Sequence, residues 1–524
     1  MTAKTLMIQG TASSAGKSLL VAALCRIFRQ DGVRVAPFKA QNMALNSFVT
    51  REGHEMGRAQ VVQAQAAGLE PHVDMNPILL KPEQDARSQV VVMGKPWATL
   101  AAGEYYPRKG ELWSVVTAAL DRLRERYDLV IIEGAGSPAE INLRESDIVN
   151  MAVARYAKAP VLLVGDIDRG GVFASLVGTM VLLEEDERRL IKGFVINKFR
   201  GDVTLLQDGL TMLEKRTGVP VLGVVPFIRG LRIAEEDSVA LGEPLRRFGN
   251  SLQAKSVFAH QESSCCQGYS HPSQGSEVDI AVIRLPRISN FDDFDALALE
   301  EGVQVRFVDG PDRLGHPQAV ILPGTKSTIA DLLWLRRVGL ARAICALAEN
   351  GIPMVGICGG YQMLGRTISD PNGLESAEGQ VEGLGLLPVD TVFEAVKATY
   401  QARARIENDR GFFAEIEGQE IEGYEIHMGH SRGGEPAFRL LARGDQLVDA
   451  LDGAMDERGQ VFGTYLHGLF DNPNLRRAWL RSLGWDAAFS GLSMAEVRER
   501  EYDRLAQQVR ESLDMGQVYQ IAGL

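Results

Sequence analysis

Short apolar runs alternate with amphipathic stretches through the first half of the chain. The runs are rich in β-branched residues and bounded by Gly, Pro or Asp, which is typical of buried strands. Between them, apolar residues recur at helical spacing, for example over residues 18–30 and 112–126. This alternation predicts an α/β fold, a doubly wound and mostly parallel sheet with helices on both faces. The predicted strands are residues 5–9, 34–38, 129–133, 160–166, 193–197 and 220–226.

A second α/β pattern begins at Val278. Residues 249–277, which precede it, are rich in Ser, Gln and Gly without periodicity, and they predict a flexible linker. The cysteines and histidines in this linker match no zinc-site spacing. We therefore expect two α/β units, followed from residue 476 by a charged helical tail. In this second half we predict strands at 279–285, 304–308, 319–323, 353–358 and 460–467 and helices at 329–349 and 494–513. The linker cysteines and histidines that match no zinc-site spacing are His260, Cys265, Cys266 and His271.

Composition and charge restrict the class of protein. The 524 residues carry a formal charge of −12, which argues against a protein that coats nucleic acid. Five cysteines form no disulfide framework and favour a reducing compartment. No signal peptide and no apolar run of spanning length is visible. We expect a cytoplasmic protein with no nucleic-acid or membrane partner.

A glycine-rich loop follows the first predicted strand and opens the first predicted helix. It reads GTASSAGKS from Gly10 to Ser18, with five residues rather than the usual four between Gly10 and Gly16. Backbone N–H groups of such a P-loop cradle phosphates, its lysine (Lys17) neutralises them, and its hydroxyl (Ser18) binds Mg²⁺. The alternative is an ordinary Gly/Ser turn before a helix.

Two further polar groups end predicted strands of the same sheet. Glu133 closes the run LVIIE, where ligands bind in open α/β folds, and it is a candidate for Mg²⁺; the alternative is a capping or loop carboxylate. Asn197 closes a later strand and could contact a base edge, or simply belong to a turn.

A second chemical signal surrounds Cys358. The segment IPMVGICGGYQ reads as a strand, a sharp turn flanked by glycines, and the start of a helix, the geometry that presents a nucleophile above a sheet. A helix start also favours the thiolate. His467 follows another apolar strand 109 residues later, so the two form a candidate nucleophile and base. His427 and His430 are three apart on a predicted strand and face opposite sides, so a structural or substrate-contact role is favoured over a metal site.

These residues carry a resemblance. GICGGYQMLG with YLHGLF is similar to class I (triad-type) glutamine amidotransferases, and GTASSAGKS with IEGAGS resembles dethiobiotin synthetase-like ATPases. Their fusion resembles the glutamine-hydrolysing cobyric acid synthases of cobalamin biosynthesis. Further segments of that kind are KAQNMALNS, KPEQDARSQVVVMGK, IEGAGSPAEINL, GDIDRGGVFAS and LPRISNFDDFDAL.

The resemblance implies a reaction and a domain order. ATP, Mg²⁺ and glutamine would be used to amidate the b, d, e and g carboxylates of a corrinoid, adenosylcobyrinic acid a,c-diamide, through acyl phosphates. It implies a synthetase domain at residues 1–248, the linker at 249–277, an amidotransferase domain at 278–475 and a tail at 476–524.

The resemblance also implies roles for particular residues. Cys358 would be the nucleophile and His467 the base. The position two residues after His467, where common class I enzymes have Glu, is Leu469, so the site resembles a Cys–His dyad; Glu425 is a weak candidate for orienting the histidine. The implied phosphate, adenine and Mg²⁺ contacts are Gly10, Thr11, Gly16, Lys17, Ser18, Lys39, Glu133 and Asn197, and the implied glutamine-site residues are Gly324, Gly359 and Gln362.

Three other functions compete with this one. The sister enzyme, cobyrinic acid a,c-diamide synthase, uses the same chemistry on two acetates, but QNMALNS and INL favour the enzyme of four carboxylates. A ParA-like partition ATPase would carry a second lysine where this chain has Ala12. A catalytically dead regulator is disfavoured because Cys358, His467, Lys17 and Glu133 are all present.

Overall fold

A computed structural model describes residues 2–84, 87–234 and 278–524 of the chain. The predicted linker at 249–277, with its cysteine and histidine residues, lies outside the described residues. In the described ranges, no helix is both long enough and apolar enough to cross a membrane.

The first unit is built around a six-stranded sheet in which every pairing is parallel. Its strand order is β12-β11-β10-β1-β9-β2, and each strand predicted from the apolar runs is present within two residues at either end. Its elements are β1 (Lys4–Gly10), α1 (Lys17–Gln30), β2 (Val35–Phe38), β3 (Gln41–Met43), β4 (Ser47–Val49), β5 (Glu55–Gly57), α2 (Arg58–Ala66), β6 (Ile78–Gln84), β7 (Arg87–Val92), β8 (Lys95–Ala101), α3 (Ala102–Arg126), β9 (Leu129–Glu133), α4 (Met151–Ala157), β10 (Val161–Asp166), α5 (Val172–Leu182), α6 (Glu185–Arg188), β11 (Ile191–Phe199), α7 (Gln207–Thr217) and β12 (Val221–Pro226).

The second unit contains a six-stranded sheet and a seven-stranded sheet. The first has the order β14-β13-β15-β16-β24-β23 and is parallel except at β23. The second joins β17–β22 and β25, and its long pair β19–β20 is antiparallel. Its elements are β13 (Val278–Ile283), β14 (Val303–Val308), β15 (Ala319–Leu322), α8 (Thr328–Arg337), α9 (Leu340–Glu349), β16 (Met354–Ile357), α10 (Gly359–Leu364), β17 (Thr367–Ser369), β18 (Gln380–Glu382), β19 (Asp390–Ile406), β20 (Glu420–Arg432), β21 (Phe438–Arg443), β22 (Gln446–Asp452), β23 (Ala454–Met455), β24 (Val461–Thr464), β25 (Leu466–His467), α11 (Pro473–Ser482), α12 (Met494–Ser512) and α13 (Met515–Ala522).

The helix predicted at 329–349 is two helices, α8 and α9. Gly339 separates them with a φ of 84°, in the left-handed region that glycine adopts without strain. Apolar periodicity continues across the break, which is why the pattern alone does not show it.

Two small sheets of the first unit were not predicted, and they face the second unit. They are the four-stranded sheet β3-β6-β7-β8 and the hairpin β4–β5. Glu55 on β5 pairs with Lys397 on β19 at 2.6 Å, and Glu83 on β6 pairs with Lys326 at 2.8 Å. Both pairs cross between the units, so this edge of the first unit is a docking face for the second.

The predicted C-terminal tail divides between the two units. Helix α11 packs in the core of the second unit, where Trp479 is 1% exposed. Helices α12 and α13 instead return to the first unit and complete the core on the α1 side of its sheet. Arg26 on α1 pairs with Glu499 and Asp503 on α12 at 2.8 and 2.7 Å. The domain boundaries predicted from the sequence stay a proposal. The structure adds that α12 and α13 pack on the first unit rather than forming a separate tail.

Candidate functional site

The glycine-rich loop joins β1 to α1, as the sequence predicts for a P-loop. Gly16 caps α1 in the left-handed region at φ 96°, and a Cβ there would collide with the Asn197 side chain. Lys17 is buried, and its ammonium donates to the carbonyls of Ala12 at 3.0 Å and Gly136 at 3.1 Å. The lysine therefore lies folded across the loop beside Gly10, whose Cβ position would be 3.1 Å from its Nζ.

The Glu133 carboxylate lies directly beside this loop. Its Oε1 accepts from the Ser18 hydroxyl at 2.7 Å and from the Lys39 ammonium at 2.9 Å, and its Oε2 accepts from Gln63 on α2 at 2.5 Å. Burial would raise the pKa of Glu133, but the charge and hydrogen bonds of Lys39 and the bonds from Gln63 and Ser18 hold that pKa below its usual value. An ionised carboxylate next to a hydroxyl is a donor set that fits Mg²⁺, whose remaining ligands are phosphate oxygens and water in such sites.

Two other predicted nucleotide residues have protein partners here. The Asn197 amide donates to the Ala15 carbonyl at 2.9 Å and so braces the P-loop. The Thr11 N–H donates to Val164 of the neighbouring strand at 2.9 Å, which leaves its hydroxyl for any ligand contact. Contacts of Asn197 with adenine and of Thr11 with phosphate stay predictions.

Cys358 lies in the sharp turn between β16 and α10. Its φ of 51° and ψ of −109° are a strained conformation for a residue with a side chain, as nucleophile elbows require. The turn fits only because Gly360 lets α10 approach β15: a Cβ there would collide with the Leu322 carbonyl. The thiol is buried and lies 3.6 Å from the Ile426 carbonyl on β20.

His467 on β25 is held by a carboxylate that the sequence analysis did not identify. Asp293 Oδ2 lies 2.6 Å from His467 Nδ1, and its Oδ1 accepts from the Gly468 N–H at 3.0 Å. The expectation of a Cys–His pair without an orienting carboxylate is therefore wrong. Glu425, the weak candidate, instead forms a two-pronged pair with Arg443, at 2.6 and 2.8 Å.

The negative charge of Asp293 favours the protonated form of the His467 imidazole. Burial would lower the pKa of His467, but the charge and hydrogen bond of Asp293, with a further contribution from Cys358, raise that pKa to about 10. The imidazole is thus a cation at neutral pH. Because a hydrogen bond with Cys358 contributes to this pKa, the imidazole lies beside the cysteine side chain.

The two predicted oxyanion-hole glycines lie at this site. A Cβ on Gly324 would be 2.9 Å from His467 Cε1, and one on Gly359 would be 2.7 Å from Thr325 Cγ2. Both positions therefore require close approach without a side chain. Gln362 is buried, and its amide donates to the Met428 carbonyl at 2.9 Å and the Tyr465 hydroxyl at 3.2 Å. It braces the wall of the site, and a direct contact with glutamine stays a prediction.

In the part of the chain that the structure describes, His427 and His430 belong to no metal site. The His427 ring stacks on Tyr465 at 3.7 Å between centroids, with Glu425 Oε1 3.5 Å from its Nε2. Across the described residues, no group of three or more His, Cys, Asp or Glu is arranged to hold a metal ion. The expected structural role fits the stacking of His427.

A P-loop beside a buried carboxylate in one unit, and a Cys–His–Asp arrangement in the other, define the class of glutamine-dependent ATP-using amidoligases. Family comparison agrees with this division. Residues 6–239 match the CobQ/CobB/MinD/ParA nucleotide binding domain, and residues 279–475 match the CobB/CobQ-like glutamine amidotransferase domain.

Curated relatives narrow the class to one enzyme family. The cobyric acid synthase of Sorangium cellulosum is 55% identical, covering 100% of this chain and 99% of its own. That of Dehalococcoides mccartyi strain CBDB1 is 51% identical, with 99% of each chain covered, and that of Desulforamulus reducens is 50% identical, with 100% and 98% covered. The chain belongs to the cobyric acid synthase family, as the sequence motifs predicted, and it is a glutamine-hydrolysing amidoligase.

Proposed function

We propose that this enzyme amidates the b, d, e and g carboxylates of adenosylcobyrinic acid a,c-diamide, using ATP, Mg²⁺ and glutamine. Four carboxylates would consume four molecules each of ATP and glutamine. The observation that supports the proposal is the presence of both chemical sites, with their residues in contact, in one chain that aligns with cobyric acid synthases along its whole length.

The glutaminase half of the reaction falls to Cys358 and His467. The Cys358 thiolate attacks the side-chain amide carbon of glutamine. The His467 imidazolium gives its proton to the leaving nitrogen, which departs as ammonia and leaves a thioester. Water, deprotonated by the now neutral imidazole, then hydrolyses the thioester to glutamate. Asp293 holds the imidazole with Nδ1 protonated throughout.

The oxyanion formed on the glutamine carbonyl requires donors that do not have to reorient. We assign this role to the backbone N–H groups of Gly324 and Gly359, because both glycines approach the site without a side chain in the way. Gln362 would shape the glutamine pocket through the partners that hold it.

The synthetase half falls to the P-loop. ATP supplies a phosphoryl group that turns a poor electrophile, the corrinoid carboxylate, into an acyl phosphate, and bound Mg²⁺ would be held by Ser18 and Glu133. Lys17 and Lys39 neutralise phosphate charge, and the loop from Gly10 to Gly16 donates backbone N–H groups. Ammonia then displaces phosphate from the acyl phosphate to give the amide.

The substrates of this reaction are small molecules, and we propose no nucleic-acid or membrane partner and a cytoplasmic location. The low cysteine content and acidic charge support that location.

The decisive experiment is mass spectrometry of the corrinoid after incubation with ATP, Mg²⁺ and glutamine. Each conversion of a carboxylate to an amide lowers the mass by about one unit, so four steps can be counted. Two steps on an unamidated corrinoid, with none on the a,c-diamide, would instead indicate the sister diamide synthase. No corrinoid product at all would refute the proposal.

The two-site model has a matched test in Cys358→Ala. This variant should lose glutamine-supported amidation, because no thioester forms, and should keep amidation by added ammonia, because the acyl phosphate forms in the other unit. Its ammonia-supported rate should rise with pH up to about 9 as ammonium loses its proton. Loss of both activities would place Cys358 in the synthetase site or the fold, and retention of both would exclude it as the nucleophile.

A further inference from the structure

One arginine of the nucleotide-binding unit reaches into the amidotransferase site. Arg58 is the first residue of α2, yet its guanidinium lies against the second unit and is only 7% exposed. Its Nη2 lies 2.8 Å from Asp292 Oδ2 and donates to the Tyr424 hydroxyl at 3.0 Å. The Phe48 ring lies 5.1 Å below the guanidinium carbon. These contacts fix the side chain in a single place.

Both partners of Arg58 are adjacent to the His467 pair. Asp292 precedes Asp293 in one short turn, so holding its carboxylate also holds the turn that presents Asp293 to the imidazole. The Tyr424 ring stacks on the imidazole of His467, with centroids 5.1 Å apart and planes at 17°. The guanidinium therefore contacts the residue next to Asp293 and the tyrosine whose ring stacks on His467.

The positive charge of Arg58 also affects the two neighbouring carboxylates, Asp292 and Asp293. Burial and the neighbouring Asp293 raise the pKa of Asp292, whereas Arg58 lowers it. Without the guanidinium, two carboxylates would lie side by side with no cation at the position that it now occupies, and repulsion would act on the turn that holds His467.

The backbone of Arg58 is held within the nucleotide-binding unit. The Arg58 N–H donates to the Asn46 carbonyl at 3.2 Å, and the Asn46 amide oxygen accepts from the N–H of Phe291 at 3.3 Å. Further along α2, Gln63 binds Glu133 at 2.5 Å. Helix α2 thus contacts the predicted nucleotide site through Gln60 and Gln63 and has its first residue beside the amidotransferase site.

We propose that Arg58 is a positioning residue for glutamine hydrolysis, supplied by the synthetase unit to the His467–Asp293 pair through Asp292 and Tyr424. The inference rests on the proposed function, because it assumes that His467 serves glutamine hydrolysis. Docking of the two units then completes the glutaminase, and ammonia is made at full rate only where an acceptor site is attached.

The test compares Arg58→Gln with Arg51→Gln in the full-length protein. Arg51 is a matched control, because it also reaches across the unit boundary, to Asp445 at 3.5 Å, but both of these side chains are mostly exposed. The measurements are kcat and KM for glutamate release, the rate of amidation with ammonia in place of glutamine, and the melting temperature.

We expect Arg58→Gln to lower kcat for glutamine hydrolysis roughly 10- to 100-fold, the effect of a small misplacement of a catalytic group. KM for glutamine should change less than threefold, and ammonia-supported amidation should stay within about twofold of wild type. Arg58→Lys should recover part of kcat, because the ammonium keeps the charge opposite Asp292. Arg51→Gln should match wild type in both activities.

A second variant keeps the test valid if Arg58→Gln folds poorly. Tyr424→Phe retains the ring that stacks on His467 and removes only the hydroxyl that Arg58 and Asn290 bind. Selective loss of glutamine-dependent turnover in this variant supports the inference. Glutamine kinetics like wild type in Arg58→Gln would overturn it, as would a parallel loss of both activities with Tyr424→Phe unaffected. Failure of the proposed function would differ, since the wild-type protein itself would then give no four-step mass change on the a,c-diamide corrinoid, whatever Arg58→Gln does to glutamate release.

Discussion

Replacing Asp293 with Asn tests the electrostatics of the amidotransferase site most directly. The change keeps the shape of the side chain and an oxygen for the Gly468 N–H, but it presents an NH₂ group to His467 Nδ1 in place of the carboxylate. The imidazole must then carry its proton on Nε2, which is the wrong tautomer for accepting a proton from the water that hydrolyses the thioester. The imidazole also loses the negative charge of Asp293, which favours its protonated form.

The size of the effect follows from the pKa of His467. The rise from 6.5 to about 10 corresponds to roughly 5 kcal/mol, at about 1.4 kcal/mol per pH unit. Burial lowers the pKa of His467 and Asp293 opposes it, so the pKa should fall when the carboxylate is removed. The imidazolium is then less stable, and kcat for glutamine hydrolysis should drop by roughly 10³- to 10⁴-fold, as when a triad aspartate becomes asparagine.

The assay is glutamate release between pH 6 and pH 10, with ammonia-supported amidation as the internal control. In the wild-type protein we expect the alkaline limb of the profile near pH 10, where His467 loses its proton. Residual activity of Asp293→Asn should lose this limb, while ammonia-supported amidation stays within about twofold of wild type. Asp445→Asn, an exposed carboxylate of the same unit, should change neither activity. An unchanged alkaline limb, with kcat within threefold, would refute the reasoning.

Three further predictions concern other parts of the molecule. Lys17→Ala should abolish amidation with either nitrogen source while leaving part of the glutamine hydrolysis at Cys358; normal amidation would refute the P-loop assignment. Glu133→Gln should reduce Mg²⁺-dependent turnover by roughly 10²-fold or more, because one metal ligand loses its charge, whereas an unchanged Mg²⁺ titration would make Glu133 structural. Arg476→Met should lower the free energy of unfolding by about 3–5 kcal/mol in a urea titration, because it leaves the fully buried Glu300 without its 2.9 Å partner, and adding Glu300→Leu should recover most of that loss.

The His467–Asp293 pair also makes stability depend on pH. A group whose pKa rises on folding contributes stability that is fully present below its unfolded value, here near 6.5, and that is lost as pH rises through about 10. The second unit should therefore unfold more readily as pH approaches 10, and Asp293→Asn should remove that part of the dependence.

The local motifs were predictable because each one carries its own geometry. The P-loop and the cysteine turn are both strand–turn–helix segments, so a few glycines and one functional residue indicate their form. Most strands of the two main sheets were also predictable, since their buried apolar runs are continuous. The small sheets at the docking face were not, because their strands are short and partly polar, as in Gln41–Met43.

The residues that complete the amidotransferase site, Asp293 and Arg58, could not be predicted from the spacing of motifs along the sequence. Asp293 contacts a histidine 174 positions away, and Arg58 contacts a tyrosine 366 positions away. The fold of the second unit brings the first pair together, and the packing of the two units against each other brings the second pair together. The segment LPRISNFDDFDAL was identified as typical of the family, and it contains Asp293, but three aspartates in five residues gave no reason to choose one.

The return of α12 and α13 to the first unit has a consequence for how the protein is made. Residues 2–234 emerge from the ribosome long before the helices that cover α1, and the interval of about 260 residues takes roughly 10 to 50 seconds at about 5–20 residues per second. During that time the surface around Arg26, which in the finished protein contacts Asp503, is not yet covered by α12. The first unit therefore exists for this interval without part of its core. The ammonia-producing unit is thus translated in full before the helices that complete the core of the ATP-using unit are made.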